Sequence, residues 1–198
     1  MPHPYQDHYF HRAKKERYLA RAIYKLEQIQ KKHRILKPGQ RVLDLGAAPG
    51  SWIQFTERVV GPKGLVVGVD LQPIAHRFPS HVITYQRDIF DEETEALLRG
   101  HGPFDVVLSD MAPKTSGIKA ADAARSELLY ERALDLACRL LRPGGHFCSK
   151  IFQGSDFHAL VAETKRRFRR VKVVKPDASR KQSKEIYILA MDYKAMPT

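Results

Sequence analysis

Val42-Leu43-Asp44-Leu45-Gly46-Ala47-Ala48-Pro49-Gly50-Ser51-Trp52 is the stretch on which the reading of this chain turns. A short run with the content of a buried strand, residues 42–45, enters a turn of small residues, and a helical pattern follows over 52–60. Small side chains at 46–48 let the backbone approach a ligand closely, and Gly50 can take positive φ. The spacing is not the G-x-G-x-x-G of a dinucleotide fold. Nor is it a phosphate loop, since no Gly-Lys-Ser/Thr follows. In an open α/β sheet such a turn lies beyond the carboxyl ends of the strands, where ligands bind.

Outward from this turn, strands and helices alternate. Short apolar runs over 65–69, 82–85, 104–109, 145–149, 171–174 and 185–192 add six strands to the first. Helical spacing covers 91–99, 121–141 and 156–168 between them. The longest of these stops at Arg142-Pro143-Gly144-Gly145, read as a turn. Ahead of the first strand, Leu19, Ala22, Ile23, Leu26 and Ile29 recur at three- and four-residue steps, which predicts one helix over 14–36, ended by Pro38-Gly39. Arg21, Lys25 and Lys32 lie on its flank, and residues 1–13 read as irregular. The expectation is an α/β fold of one domain over 1–198, a basic N-terminal extension and helix (1–37) followed by a core (38–198). Its sheet should be mostly parallel, with helices on both faces.

Three acids follow at strand ends, Asp70, Asp88 and Asp110. An acid after the second strand commonly accepts from ribose hydroxyls, although any one of them could instead cap a helix. This acidic cradle favours a cofactor carrying a sulfonium and an ammonium, so S-adenosylmethionine fits better than NAD or ATP.

The net charge of +12 is unevenly placed. Residues 1–41 hold 11 Lys/Arg against 3 acids and residues 165–184 hold 10 against 1, so the rest of the chain is mildly acidic. A basic rim on an acidic body suits a polyanion-binding enzyme. No apolar run approaches the roughly 20 residues of a membrane span, and the first residues have no apolar core of a secretory signal. Cys138 and Cys148 read as reduced core residues of a cytoplasmic protein, the nine histidines are scattered without metal spacing, and nothing suggests a dimer.

Lys150 closes a strand that is otherwise apolar, where an unpaired ammonium is costly. Its alternatives are a snorkelling surface lysine or a base favoured by burial and a second cation, for which Lys25 is the candidate. Asp110 would hold Lys150 in line with a transferred methyl group, and Glu185, heading the last strand, could orient Lys25 or a substrate hydroxyl. Spacing by itself does not tie position 25 to 185.

The ordered set Ala22-Ile23-Tyr24-Lys25-Leu26, residues 42–52, Ser109-Asp110-Met111-Ala112-Pro113, Lys150-Ile151-Phe152-Gln153-Gly154 and Glu185-Ile186-Tyr187 resembles the FtsJ/RrmJ family of RNA ribose 2′-O-methyltransferases, over residues 7–193. The resemblance implies a Rossmann-like, S-adenosylmethionine-dependent methyltransferase fold and a catalytic tetrad of Lys25, Asp110, Lys150 and Glu185, with Lys150 the proton acceptor. It also implies cofactor contacts at Gly50, Trp52, Asp70 (ribose), Asp88 (adenine) and Asp110. The implied substrate is a uridine ribose in the A-loop of large-subunit ribosomal RNA, within a ribosomal particle. Two departures bear on RNA grip: Leu19-Ala20-Arg21 stands where the family often has Arg-Ser-Arg, and Lys114 where it often has Asn. A tRNA or cap methyltransferase and a non-catalytic RNA-binding assembly factor are the competing readings.

Overall fold

The computed structural model describes residues 8–179 and 183–195; His3 and positions 180–182 of the basic segments lie outside them. The elements are α1 (His8–Lys15), α2 (Ile23–His33), β1 (Arg41–Leu45), α3 (Ser51–Val60), β2 (Leu65–Asp70), β3 (Val82–Gln86), α4 (Glu92–His101), β4 (Phe104–Ser109), α5 (Lys119–Leu140), β5 (Leu141–Phe152), α6 (Phe157–Arg167), β6 (Phe168–Val174) and β7 (Glu185–Tyr193). The seven strands form one sheet in the order β3-β2-β1-β4-β5-β7-β6. All neighbours run parallel except β7, which is antiparallel to both β5 and β6. The sheet is therefore mostly parallel and covered on both faces. Leu98, Tyr130 and Leu160 of α4, α5 and α6 pack one face, and Leu26, Ile29 and Ile53 of α2 and α3 pack the other.

Strand order reverses between β1 and β4, because β2 and β3 lie to one side of β1 and β4 and β5 to the other. Ligands of open α/β sheets bind at such a point, beyond the carboxyl ends of the strands. The register makes this concrete. Leu45 pairs with Ser109 and Ser109 with Ser149, so the Gly46 turn, Asp110 and Lys150 fall at one level. Lys150 does not close its strand, as the sequence suggested: β5 runs on to Phe152 because β7 continues to pair with it, Lys150 opposite Tyr187.

The N-terminal helix differs from its sequence reading. The chain is helical from His8 and breaks between Lys15 and Ile23, so the expected helix over 14–36 is two helices. Arg17 adopts a left-handed φ of 59° there, and the Tyr18 N–H donates to the Ala13 carbonyl. Helix α2 ends at Arg34, itself left-handed at φ 51°, before Pro38 is reached. The Arg142–Gly145 turn is embedded in β5: Leu141 pairs with Phe104, the register shifts, and pairing resumes at Val106 and His146. Strand β6 begins at Phe168, where the helix was expected still to run.

Candidate active site

The four residues spread along the sequence are brought together at the switch point. The Lys150 Nζ lies 3.1 Å from Asp110 Oδ1 and donates to the Asp110 main-chain carbonyl at 2.5 Å. The Lys25 Nζ lies 2.8 Å from Glu185 Oε1. Lys25 is on α2, with its stem packed in the layer that covers β5 and β7, while Glu185 heads β7 opposite Phe152. The second cation expected near Lys150 is thus paired with an acid of its own.

Tyr187 joins the two pairs. Its hydroxyl donates to Asp110 Oδ1 at 2.6 Å, and the Lys25 ammonium sits 5.9 Å from its ring centroid. Burial, and then the charges of Asp110 and Glu185, hold the phenol well above its ordinary value, so it remains a donor. Burial also pushes Asp110 upward, but Lys150, Lys25 and the Tyr187 hydroxyl outweigh it and keep the carboxyl below the usual range. The sequence reading gave Tyr187 no role. A signal existed: Glu185 and Tyr187 are two apart on a strand and so share a face.

A cavity of about 530 Å³ opens beside this cluster, lined by Gly46, Ala48, Asp70, Asp88, Asp110 and Met111 among others. Asp70 Oδ2 accepts from the Ala48 N–H at 2.9 Å and its Oδ1 from the Gln72 N–H at 2.8 Å, while Asp88 Oδ1 accepts from the Phe90 N–H at 2.9 Å. Both acids therefore brace local turns as well as face the cavity. Gly46, at φ 74°, is pressed by Met111, whose Cγ would stand 2.3 Å from any Cβ placed there. The two remaining cofactor candidates behave differently. Gly50 lies under Phe78 and Leu19, and the buried Trp52 ring leans on Tyr187 and donates to the Ala22 carbonyl at 2.9 Å. Neither is among the residues that line the cavity.

Asp44 was read as part of the first strand and of the cofactor turn, with no role of its own. It is fully buried, and neither carboxylate oxygen has a hydrogen-bond partner. Burial first, then the nearby Asp110 and Asp70, push its carboxyl well above the ordinary range. An orphaned buried acid beside an acidic cavity disfavours anionic ligands and suits a cationic one. Among the described residues no group of three or more His, Cys, Asp or Glu has metal-site geometry.

The segment after Lys150 is pinned from α5. The Ser126 Oγ accepts from the Phe152 N–H at 2.9 Å, and the buried Glu127 Oε1 accepts from the Asp156 N–H at 3.1 Å. Gly154 has no room for a side chain, since a Cβ would come within 2.6 Å of the Glu127 carboxylate. Glu127→Ala strands the Asp156 amide and should cost about 1–3 kcal/mol. In a thermal melt that is a fall of roughly 2–12 °C for a domain of this size, and an unchanged melt would show that the segment holds itself.

Comparison with known proteins agrees with this architecture. The FtsJ-like methyltransferase family model matches residues 18–193. The chain belongs to that family. It is 64% identical over 192 residues, 96% of this chain and 98% of the other, to a protein of Syntrophobacter fumaroxidans named ribosomal RNA large subunit methyltransferase E. A Bdellovibrio bacteriovorus protein of the same name is 48% identical over 96% of this chain and 97% of its own. Among solved structures, a Plasmodium falciparum protein assigned as a ribosomal RNA methyltransferase superposes with a TM-score of 0.79 at 27% identity, covering 89% of this chain and 98% of that one. Fibrillarin, at 19% identity and a TM-score of 0.59 over 83% of this chain and 78% of that one, shares the fold.

Proposed function

We propose that this FtsJ-like methyltransferase moves the methyl group of S-adenosylmethionine onto a ribose 2′-hydroxyl of large-subunit ribosomal RNA, a uridine of the A-loop. The observation that carries the reading is the Lys150–Asp110 pair: Asp110 lines the acidic cavity, and Tyr187 joins it to Lys25, which with Arg21, Ala22, Ser183 and Glu185 lines a second cavity of about 240 Å³. The relatives named above supply the ribosomal substrate, and the quoted motifs supply the ribose hydroxyl.

Asp70 and Asp88 offer carboxylates for ribose hydroxyls and adenine, and the field of Asp70 and Asp110 favours the cationic end of the cofactor. The bound cofactor supplies an electrophilic methyl carbon. Lys150 takes the 2′-hydroxyl proton onto Nζ as the oxygen attacks, and Asp110 holds the resulting ammonium. The sulfur keeps the electron pair of the broken bond. Lys25 and Glu185 face the second cavity and orient the ribose, so rate comes mainly from alignment and proton removal.

The test is methyl transfer from labelled S-adenosylmethionine to large-subunit RNA, naked and in intact subunits, followed by mapping of 2′-O-methyl marks. A single mark on an A-loop uridine is expected. A mark confined to tRNA or cap substrates would move the enzyme elsewhere in its class, and failure to bind the cofactor would favour the assembly-factor reading.

A further inference from the structure

Several arginines on the described surface are clustered with acids. Arg132 and Arg139 share Glu95 and Asp135, Arg166 and Arg167 share Glu163, and Arg142 meets Asp105. The edge formed by the end of α2 and strand β6 differs. Lys31, Lys32, Arg34, Lys37 and Lys172 are exposed there, and no ion pair engages any of them among the described residues. Only Arg170 has an acid, Asp192, at 2.8 Å.

The two elements meet at one core cluster, where Val174 of β6 packs against the group that holds Leu26 and Ile29 of α2. Burial, then the ammoniums of Lys172 and Lys32, hold His33 below its ordinary value. Cations at a helix C-terminus and on an edge strand each have a structural reason. Neither reason calls for both sets to lie side by side with Asp192 their one ion-paired acid among the described residues. The edge is also continuous with the candidate active site. Lys175 donates to the Ser183 carbonyl, and Ser183 lines the cavity of Lys25 and Glu185. From Lys175 the strand runs back past Lys172 to Arg170, a distance of about 17 Å at the usual rise per residue.

We infer that the α2–β6 edge is a second RNA-contact face, which grips the sugar-phosphate backbone of a folded segment flanking the target nucleotide. The inference rests on the RNA substrate proposed above. Dispersed lysines act as point charges on successive phosphates and read no sequence. A track leading away from the ribose pocket suits structured RNA, which proteins grip largely by shape and backbone. Such a face would let the enzyme measure the fold around one nucleotide rather than its base sequence.

The experiment compares the full-length protein with K31Q/K32Q/K172Q, using naked large-subunit RNA, binding at several salt concentrations, and single-substrate kinetics. The expected result is a KM for RNA raised about tenfold, with kcat and cofactor affinity unchanged. Removal of three phosphate contacts should also flatten the slope of log affinity against log salt by roughly 2. Unchanged KM and slope would overturn the inference. So would a defect seen with intact subunits but absent with naked RNA, since that would assign the edge to a ribosomal protein. The salt slope is read from binding, so it decides this point by itself. Absence of methyl transfer by the unaltered protein would instead sink the proposed activity.

Discussion

Lys150→Ala should lower methyl transfer about 10²–10⁴-fold while leaving cofactor affinity within twofold. The ammonium is buried and contacts the Asp110 carboxylate and carbonyl, whereas the cavity proposed for the cofactor is lined without it. Its loss therefore removes the proton's destination and spares the acids that hold the donor. Lys150→Arg should not rescue the rate, because a guanidinium retains its proton at any working pH. A Lys150→Ala protein with near-normal turnover would refute the assignment of the base.

The same variant carries a stability signature. Asp110 is held below its unfolded-state value, so its contribution is fully present above the unfolded carboxyl pKa of about 3.9 and is lost as pH falls through the lower folded value. Without Lys150 the carboxylate keeps its burial and loses its nearest cation. Lys150→Ala should thus be destabilised at neutral pH and start to unfold at a higher pH on the acid side. A circular-dichroism pH titration of both proteins reads the difference.

Much of this arrangement was readable beforehand, for physical reasons that differ from residue to residue. The 42–52 stretch announces a strand, a close-approach turn and a helix within eleven positions, and the alternation after it leaves few sheets to choose from. Asp110 and Glu185 sit at strand ends and Lys150 near one, where the topology collects chemistry. Lys25 could not be placed from spacing, because its approach to Glu185 depends on α2 packing over β7. The helix break at Arg17 is marked by no Gly or Pro; it follows from tertiary bonds, such as the Tyr24 hydroxyl reaching Glu16 at 2.9 Å. The contacts of the Trp52 ring with Ala22 and Tyr187, which lie 30 and 135 positions away, are likewise set by the fold. Contacts between elements distant in sequence are what local patterns leave out.

Asp44→Asn should stabilise the ligand-free protein and weaken its hold on S-adenosylmethionine. Asp44 has no hydrogen-bond partner and is surrounded by the like charges of Asp110 and Asp70. Its raised folded pKa means that its stability contribution is greatest below the unfolded value of about 3.9 and is lost as pH rises through the folded one. At pH 7 and above, an isosteric amide removes that burden. Relief of about 1–2 kcal/mol is expected, or roughly 2–8 °C in Tm. The same change removes the carboxyl that a bound cation would draw into ionising beside the cavity, so cofactor affinity should fall about 10–100-fold, equivalent to roughly 1.4–2.8 kcal/mol. Isothermal titration with S-adenosylmethionine and with its uncharged-sulfur product separates the causes. If Asp44 acts through the sulfonium charge, the cofactor loses more affinity than the product; equal losses would place its influence on the ammonium both share. A variant with lower Tm and unaltered affinity would show that Asp44 is structural. Burying an unpartnered acid is then a cost in the empty protein that is offset when a cation arrives, a trade of stability for function located at one residue of the strand that fixes the fold.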